Sequence, residues 1–169
     1  MQHETFMRLA LQQAQQALAN NEFPVGAVIV AGDEPVAFGK RENSQSATAN
    51  ELDHAEIVAL RDLLGRRPDI DRQTLTVYST MEPCLMCYST MLLNGIRTFV
   101  YGYEDAMGGG TSLQLMHLTP LYQAMETEVH ILPHVLRQES LALFKAFFTS
   151  QENNYWQGSL LAEYTLAQP

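Results

Sequence analysis

Four side chains in this sequence, His54 and Glu56 in one short run and Cys84 and Cys87 in another, are of the types that make a nucleophile from water at neutral pH. An imidazole and two thiolates form a borderline-soft donor set suited to zinc. Three protein donors leave the fourth position of a tetrahedral ion to water, which is the pattern of a catalytic site. Zinc held in this way lowers the pKa of its water to roughly 7. The carboxylate of Glu56 stands close to the histidine in sequence and can move the proton afterwards. Cys84 and Cys87 have the spacing that shares one face of a helix. Pro83 suits the start of that helix, where a missing N–H costs nothing. The free N–H groups at that end favour thiolate over thiol. His54 and Glu56 would diverge in a helix interior, so both serve one site only if they flank a helix tip. Asp53, a good N-cap residue ahead of an apolar run, predicts such a tip. Two helix starts then meet at the metal, at one end of the strands of an open α/β sheet.

Each residue also has a plainer use. Asp53-x-x-Glu56 reads as a variant capping box that serves only its own helix. Cys-x-x-Cys by itself is a redox dithiol or half of a structural zinc site. A structural site needs a fourth ligand, and His3, His117, His130 and His134 stand at no ligand spacing. Pro133 breaks the helix that the pair His130 and His134 would need. The four residues together, in this order and with Pro83 in place, favour the open zinc site.

The elements that must carry these residues follow from periodicity. Phe6, Leu9, Ala10, Ala17 and Leu18 share one face of a first helix. Val25–Val30 and Val36–Lys40 read as a hairpin turned at Gly32-Asp33. Asp53–Leu64 reads as a helix ended by Gly65, with Pro68 beyond. Leu75–Ser79 is a strand, Cys84–Leu93 a helix stopped at Asn94-Gly95, and Thr98–Tyr101 a further strand. Gly108-Gly109-Gly110 reads as a hinge in a flexible loop. Thr127–Leu132 is a fifth strand, Val135–Phe148 a helix, and Asn154–Tyr164 a last amphipathic helical segment. This order predicts a three-layer α/β/α sandwich around one five-stranded mixed sheet. The long connection between the last two strands leaves room for a helical crossover, so they should run parallel.

The chain has 169 residues, 46% hydrophobic and 17% charged, which suits one globular domain over 1–169 with residues 149–169 as a helical extension. No apolar run reaches the ~20 residues of a membrane span. The Gln-rich N-terminus lacks a signal-like apolar core, and both cysteines sit in one motif. A cytoplasmic protein is expected. Ten basic residues against nineteen acidic ones give a net charge of −9, which disfavours nucleic-acid partners without excluding a local basic patch.

With these residues in view, the chain resembles the cytidine deaminase-like superfamily, and within it the bacterial tRNA adenosine deaminases and the related guanine deaminases. The resemblance runs from about Phe23 to Asp105. It rests on Phe23-Pro24-Val25-Gly26-Ala27-Val28, Asn43, His54-Ala55-Glu56-Ile57-Val58-Ala59-Leu60 and Glu82-Pro83-Cys84-Leu85-Met86-Cys87, and more weakly on Tyr101-Gly102 and Asp105. It implies that His54, Cys84 and Cys87 hold Zn2+. It also implies that Glu56 takes a proton from the activated water and returns it to the ring nitrogen and the departing ammonia. Asn43 matches a family position that hydrogen-bonds the base or its sugar; Asp53 and Ala55, on either side of the histidine, join it as expected substrate contacts. A homodimer is implied as well. The chain departs from the tRNA-modifying members in three places. Asp53 replaces a small residue before the histidine, and Glu104 replaces an arginine before Asp105. No Lys or Arg follows Lys145, where the tail carries Glu152, Tyr155, Trp156, Glu163 and Tyr164 instead. The arginines at 61, 66, 67 and 72 read as charge complementing a helix C-terminus. The expected activity is therefore hydrolytic, zinc-dependent removal of ammonia from a free amino-bearing base or nucleoside in purine or pyrimidine metabolism. Editing of a tRNA wobble adenosine is the alternative, and a zinc-stabilised module without chemistry comes third. Aromatic residues of the tail could close the pocket over a base.

Overall fold

The computed structural model describes residues 2–45, 47 and 49–169. Its elements in chain order are α1 Gln2–Ala19, β1 Gly26–Ala31, β2 Glu34–Lys40, α2 Ala55–Arg66, β3 Leu75–Met81, α3 Leu85–Leu93, β4 Thr98–Tyr103, α4 Pro120–Gln123, β5 His130–Leu132, α5 Arg137–Thr149 and α6 Leu160–Ala167. The five strands form one sheet in the order β2-β1-β3-β4-β5. β1 runs antiparallel to β2 and β3, whereas β3, β4 and β5 run parallel. The mixed sheet and the parallel last pair are as the sequence predicts.

Alternation along the strands divides the core into two layers. Val28, Val30, Tyr78 and Val100 point to one face and pack with Phe6, Met7, Ala10 and Leu11 of α1. Ala27, Ile29, Val77 and Phe99 point to the other, against Ala59, Leu60 and Leu63 of α2 and Met91 and Leu92 of α3. α5 lies beside α1 on the first face. The result is three layers, helices–sheet–helices. Gly39 in β2 lets α2 lie directly on the sheet, because a Cβ there would stand 2.0 Å from the Ala55 carbonyl oxygen.

Several local expectations shift. The buried face of α1 is Phe6, Met7, Ala10, Leu11, Ala14 and Ala17, so Met7, Leu11 and Ala14 complete the stripe while Leu9 and Leu18 sit at its margin. Gly65 lies within α2, which ends at Arg66. The arginine reaches back to Asp62 and to the Val36 carbonyl, and these bonds hold the last turn. Residues 155–158 form turns, and none of 154–159 is helix. Trp156 and Gly158 are left-handed there, and α6 starts only after Ser159, whose hydroxyl caps the Ala162 N–H. Among the described residues no helix is long and apolar enough to cross a membrane.

α6 is fastened by the residue that departed from the family pattern. Glu104, at the end of β4, accepts hydrogen bonds from the Arg137 guanidinium and from the Tyr164 hydroxyl. Burial opposes its ionisation, yet those bonds hold the carboxyl down to about 2. Thr165 meets the Tyr103 hydroxyl at 3.2 Å in the interior, and Leu161 and Ala162 are buried. The tail is therefore packed structure, fixed close to the ends of β3 and β4.

Candidate active site

The parallel strands β3 and β4 end beside each other at Met81 and Tyr103. Immediately beyond β3 the chain turns into α3, with Cys84 as its N-cap. α2 begins on the same side, with His54 as its N-cap. The two helix starts meet, as the sequence spacing requires. Pro83, expected at the start of α3, lies one residue ahead of its cap, and His54 replaces Asp53 as the cap of α2. The Asp53 carboxylate instead accepts from Asn43 at 2.7 Å and Asn50 at 2.8 Å and pairs with Arg61. These neighbours, Asn50 first and then Asn43, lower its pKa.

His54 Nδ1 stands 3.5 Å from the Sγ atoms of both Cys84 and Cys87. The three side chains form a group able to hold a metal ion. A tetrahedral zinc with Zn–N of about 2.0–2.1 Å and Zn–S of about 2.3 Å separates such ligand atoms by roughly 3.6 Å. The donors thus already stand at the edge length of a zinc tetrahedron. The electrostatics agree with a cation. A hydrogen bond from Cys87, opposed by burial and reinforced by His54, brings the Cys84 thiol down to about 4. Burial works against a charged His54, but Cys84, Glu56 and Glu51 outweigh it and raise the imidazole to about 9. The same negative neighbours favour a cation at this place, where a metal ion would take the position of the proton on Nδ1.

Glu56 follows in the first turn of α2 and is 3% exposed. Ser79 of β3 donates to its Oε1 at 3.1 Å, and Cys87 Sγ lies 3.5 Å from its Oε2. Burial above all, then the negative charge of Cys84, raises its pKa. A carboxyl in that setting takes up and gives up a proton readily. Beside it opens a cavity of about 330 Å3, at the small end of ligand sites. His54, Ala55, Glu56 and Cys84 line it, with apolar walls from Phe23, Val25, Met81 and Leu161 and the polar groups of Arg41, Glu82 and Asp105. Ala55 lines the cavity. Asn43 and Asp53 do not line it, because their side chains hold each other in the loop before α2.

The glycine run is a brace. Gly109 forms a bridge with Cys84, and the Gly110 N–H donates to the Pro83 carbonyl at 2.9 Å. A Cβ on Gly109 would meet the Glu82 carboxylate at 2.5 Å, and one on Gly110 would meet the backbone of Cys84 and Leu85 at 2.7–2.8 Å. The glycines are needed for this close approach and not for freedom of movement. Gly110→Ala should therefore destabilise the protein by ~1–3 kcal/mol, the cost of overpacking against backbone that cannot yield. A denaturant melt checks this, and an unchanged midpoint would restore the hinge.

Sequence reasoning passed over Arg41 and Glu51 here, and named Tyr155 only as one aromatic of the tail. Arg41, at the end of β2, is 1% exposed and lines the cavity. Glu51 sits behind His54, with Oε2 3.1 Å from its Nε2. Tyr155, from the turns before α6, lines the cavity and donates to the same Oε2 at 2.9 Å. The lone signal in the sequence was the cluster of aromatic residues in the tail.

Known proteins place this arrangement. The profile of the cytidine and deoxycytidylate deaminase zinc-binding region matches residues 1–103. The tRNA-specific adenosine deaminase of Rickettsia bellii is 31% identical over 84% of this chain and 97% of its own length. The chain spans 38% of the length of the tRNA-specific adenosine deaminase subunit tad2 of Schizosaccharomyces pombe, at 31% identity over 90% of this chain. A structure from studies of A-to-I editing by tRNA:A34 deaminases superposes with a TM-score of 0.64 at 26% identity, over 82% of this chain and 98% of that one. Guanine deaminase from Bacillus subtilis superposes at 0.55 with 28% identity, over 62% and 66% of the two chains.

Proposed function

Because the chain belongs to the cytidine and deoxycytidylate deaminase zinc-binding family and carries its hydrolytic C–N chemistry, we propose that it deaminates a single amino-bearing base, free or as its nucleoside. Zinc at His54, Cys84 and Cys87 supplies an activated water when bound. Glu56 takes the proton that this water gives up and passes it to the ring nitrogen beside the amino-bearing carbon. The water oxygen bonds to that carbon and gives its second proton, by the same carboxylate, to the amine, whose C–N bond breaks. One water is consumed, one ammonia leaves, and the ring amine becomes an oxo group. Ser79 fixes one oxygen of Glu56, leaving the other to travel between these partners. The apolar walls and the tail exclude bulk water, which strengthens each of these interactions.

The choice of a small substrate is carried by what the cations do. Among the described residues Arg41, Arg61, Arg66, Arg67, Arg97 and Arg137 are each paired with a carboxylate. Arg72 is spent on the Asn94 and Pro68 carbonyls. Arg8, Lys40 and Lys145 have no carboxylate partner among the described ion pairs, so a phosphate backbone would have either those three cations or arginines taken from their carboxylates, on a protein of charge −9. The relatives favour the second reading, a wobble adenosine in tRNA, since the Rickettsia protein matches along almost its whole length. We extend the proposal to a cytoplasmic homodimer, on the exposed Leu85 and Leu93 of α3 and the two free cysteines.

Ammonia release over a panel of bases, nucleosides and an anticodon stem-loop tests the substrate. A base or nucleoside should turn over at a kcat/KM at least equal to that of the stem-loop, with little dependence on salt. A stem-loop preferred about 100-fold, with affinity falling steeply as salt rises, would overturn the small-substrate reading in favour of tRNA.

A further inference from the structure

The Glu51 carboxylate gathers three groups on one oxygen. His54 Nε2 lies 3.1 Å from Oε2, the Tyr155 hydroxyl 2.9 Å, and the nearest Arg41 nitrogen 3.6 Å. Nδ1 of the same imidazole faces the two sulfurs, so with zinc on Nδ1 the remaining ring proton sits on Nε2 and is donated to Glu51. A carboxylate on the far nitrogen of a ligating histidine fixes its tautomer and its ring angle. Glu51 cannot hold that place alone, because it sits in the loop between β2 and α2 with its side chain 59% exposed. Two other elements hold it. Arg41 is buried at the end of β2 and clamps the same loop through the Asn50 and Asp53 carbonyls. Tyr155 comes from the turns before α6, with its ring 5.4 Å from the Arg41 guanidinium and packed on Phe23.

We propose that Tyr155 is a positioning residue for the metal site: its hydroxyl holds Glu51 against His54, so that docking of the C-terminal segment sets the geometry of a metal ligand. The inference rests on the zinc reading of His54, Cys84 and Cys87. It goes beyond that reading by making the tail part of the metal site as well as a wall of the cavity. It also accounts for the anchoring of α6 by Glu104, since a loose tail would leave Glu51 to solvent.

The test is loss of zinc to a chromogenic chelator, measured on the full-length protein for the parent, Tyr155→Phe, Glu51→Ala and the double variant. Thermal melts establish that each is folded. Glu51→Ala should speed zinc loss by roughly 10–100-fold, the usual effect of removing the outer partner of a ligating histidine. Tyr155→Phe keeps the ring and its contacts and loses only the hydroxyl. It should speed zinc loss by about 3–10-fold, a fraction of the Glu51 effect. The double variant should match Glu51→Ala, because the phenol acts through the carboxylate. Cobalt-substituted protein should show a shifted visible spectrum in Tyr155→Phe, a change that a role in cavity walling would not produce. Parental zinc loss in Tyr155→Phe, or additive effects in the double variant, would overturn the proposal while leaving the zinc site standing. A parent that holds no zinc would overturn the site itself, and the proposal with it.

Discussion

Replacing Glu56 by Gln should lower kcat by roughly 1,000-fold while zinc content stays at one per chain, the effect expected when a general acid–base group is removed and its shape kept. The argument is local. Glutamine has the volume of glutamate and can still accept from Ser79, which lies 3.1 Å from Oε1. The metal donors are other residues, so the site keeps its ligands. What disappears is a group able to take a proton from water and release it to nitrogen. The interior position makes the substitution informative, because a buried charge that did nothing would be a cost to folding, and a neutral amide there would stabilise the fold. Turnover within about tenfold of the parent, or a large loss of zinc, would remove Glu56 from the proton path.

Much of this site was legible because metal chemistry demands few residue types at few spacings. His54 and Glu56 make sense together only at a helix tip, and the tip is there. The sheet was legible for a similar reason. Val28 and Val30 alternate with Ala27 and Ile29 because each set faces its own helical layer. The shortfall lies in contacts between residues far apart in sequence. Glu51 is an ordinary loop glutamate until Tyr155, more than a hundred residues later, reaches it. Nothing in the sequence around Lys40 marks Arg41 as interior, yet it is buried by the loop it clamps. Asp53 has the chemistry of an N-cap, but Asn43, Asn50 and Arg61 compete for its carboxylate and win. The glycine run shows the same limit. Glycine permits a hinge and permits close approach, and only the neighbouring backbone of Cys84 and Leu85 decides between them.

The three metal donors should behave as one unit under mutation. His54→Ala, Cys84→Ala and Cys87→Ala should each remove zinc and with it turnover, and any pair should be no worse than one. Non-additivity follows because each donor is useful only when the others complete the set. The loss should also be felt as stability. The ion would tie the start of α2 to the start of α3, adding to the packing between them, and a site of this kind does not exist in the unfolded chain. Zinc at a thousand times its dissociation constant adds about 4 kcal/mol. For a chain of this length that corresponds to a melting temperature higher by on the order of 10 °C. Cys87→Ala is the sharpest of the three, since Cys87 is fully buried and alanine there removes one donor with the smallest change of volume. Its melting temperature should equal that of the chelator-treated parent and should not respond to added zinc. A Cys87→Ala protein that still binds one zinc per chain, or a parent whose melting temperature ignores the chelator, would show that the two helix starts are held together by packing alone.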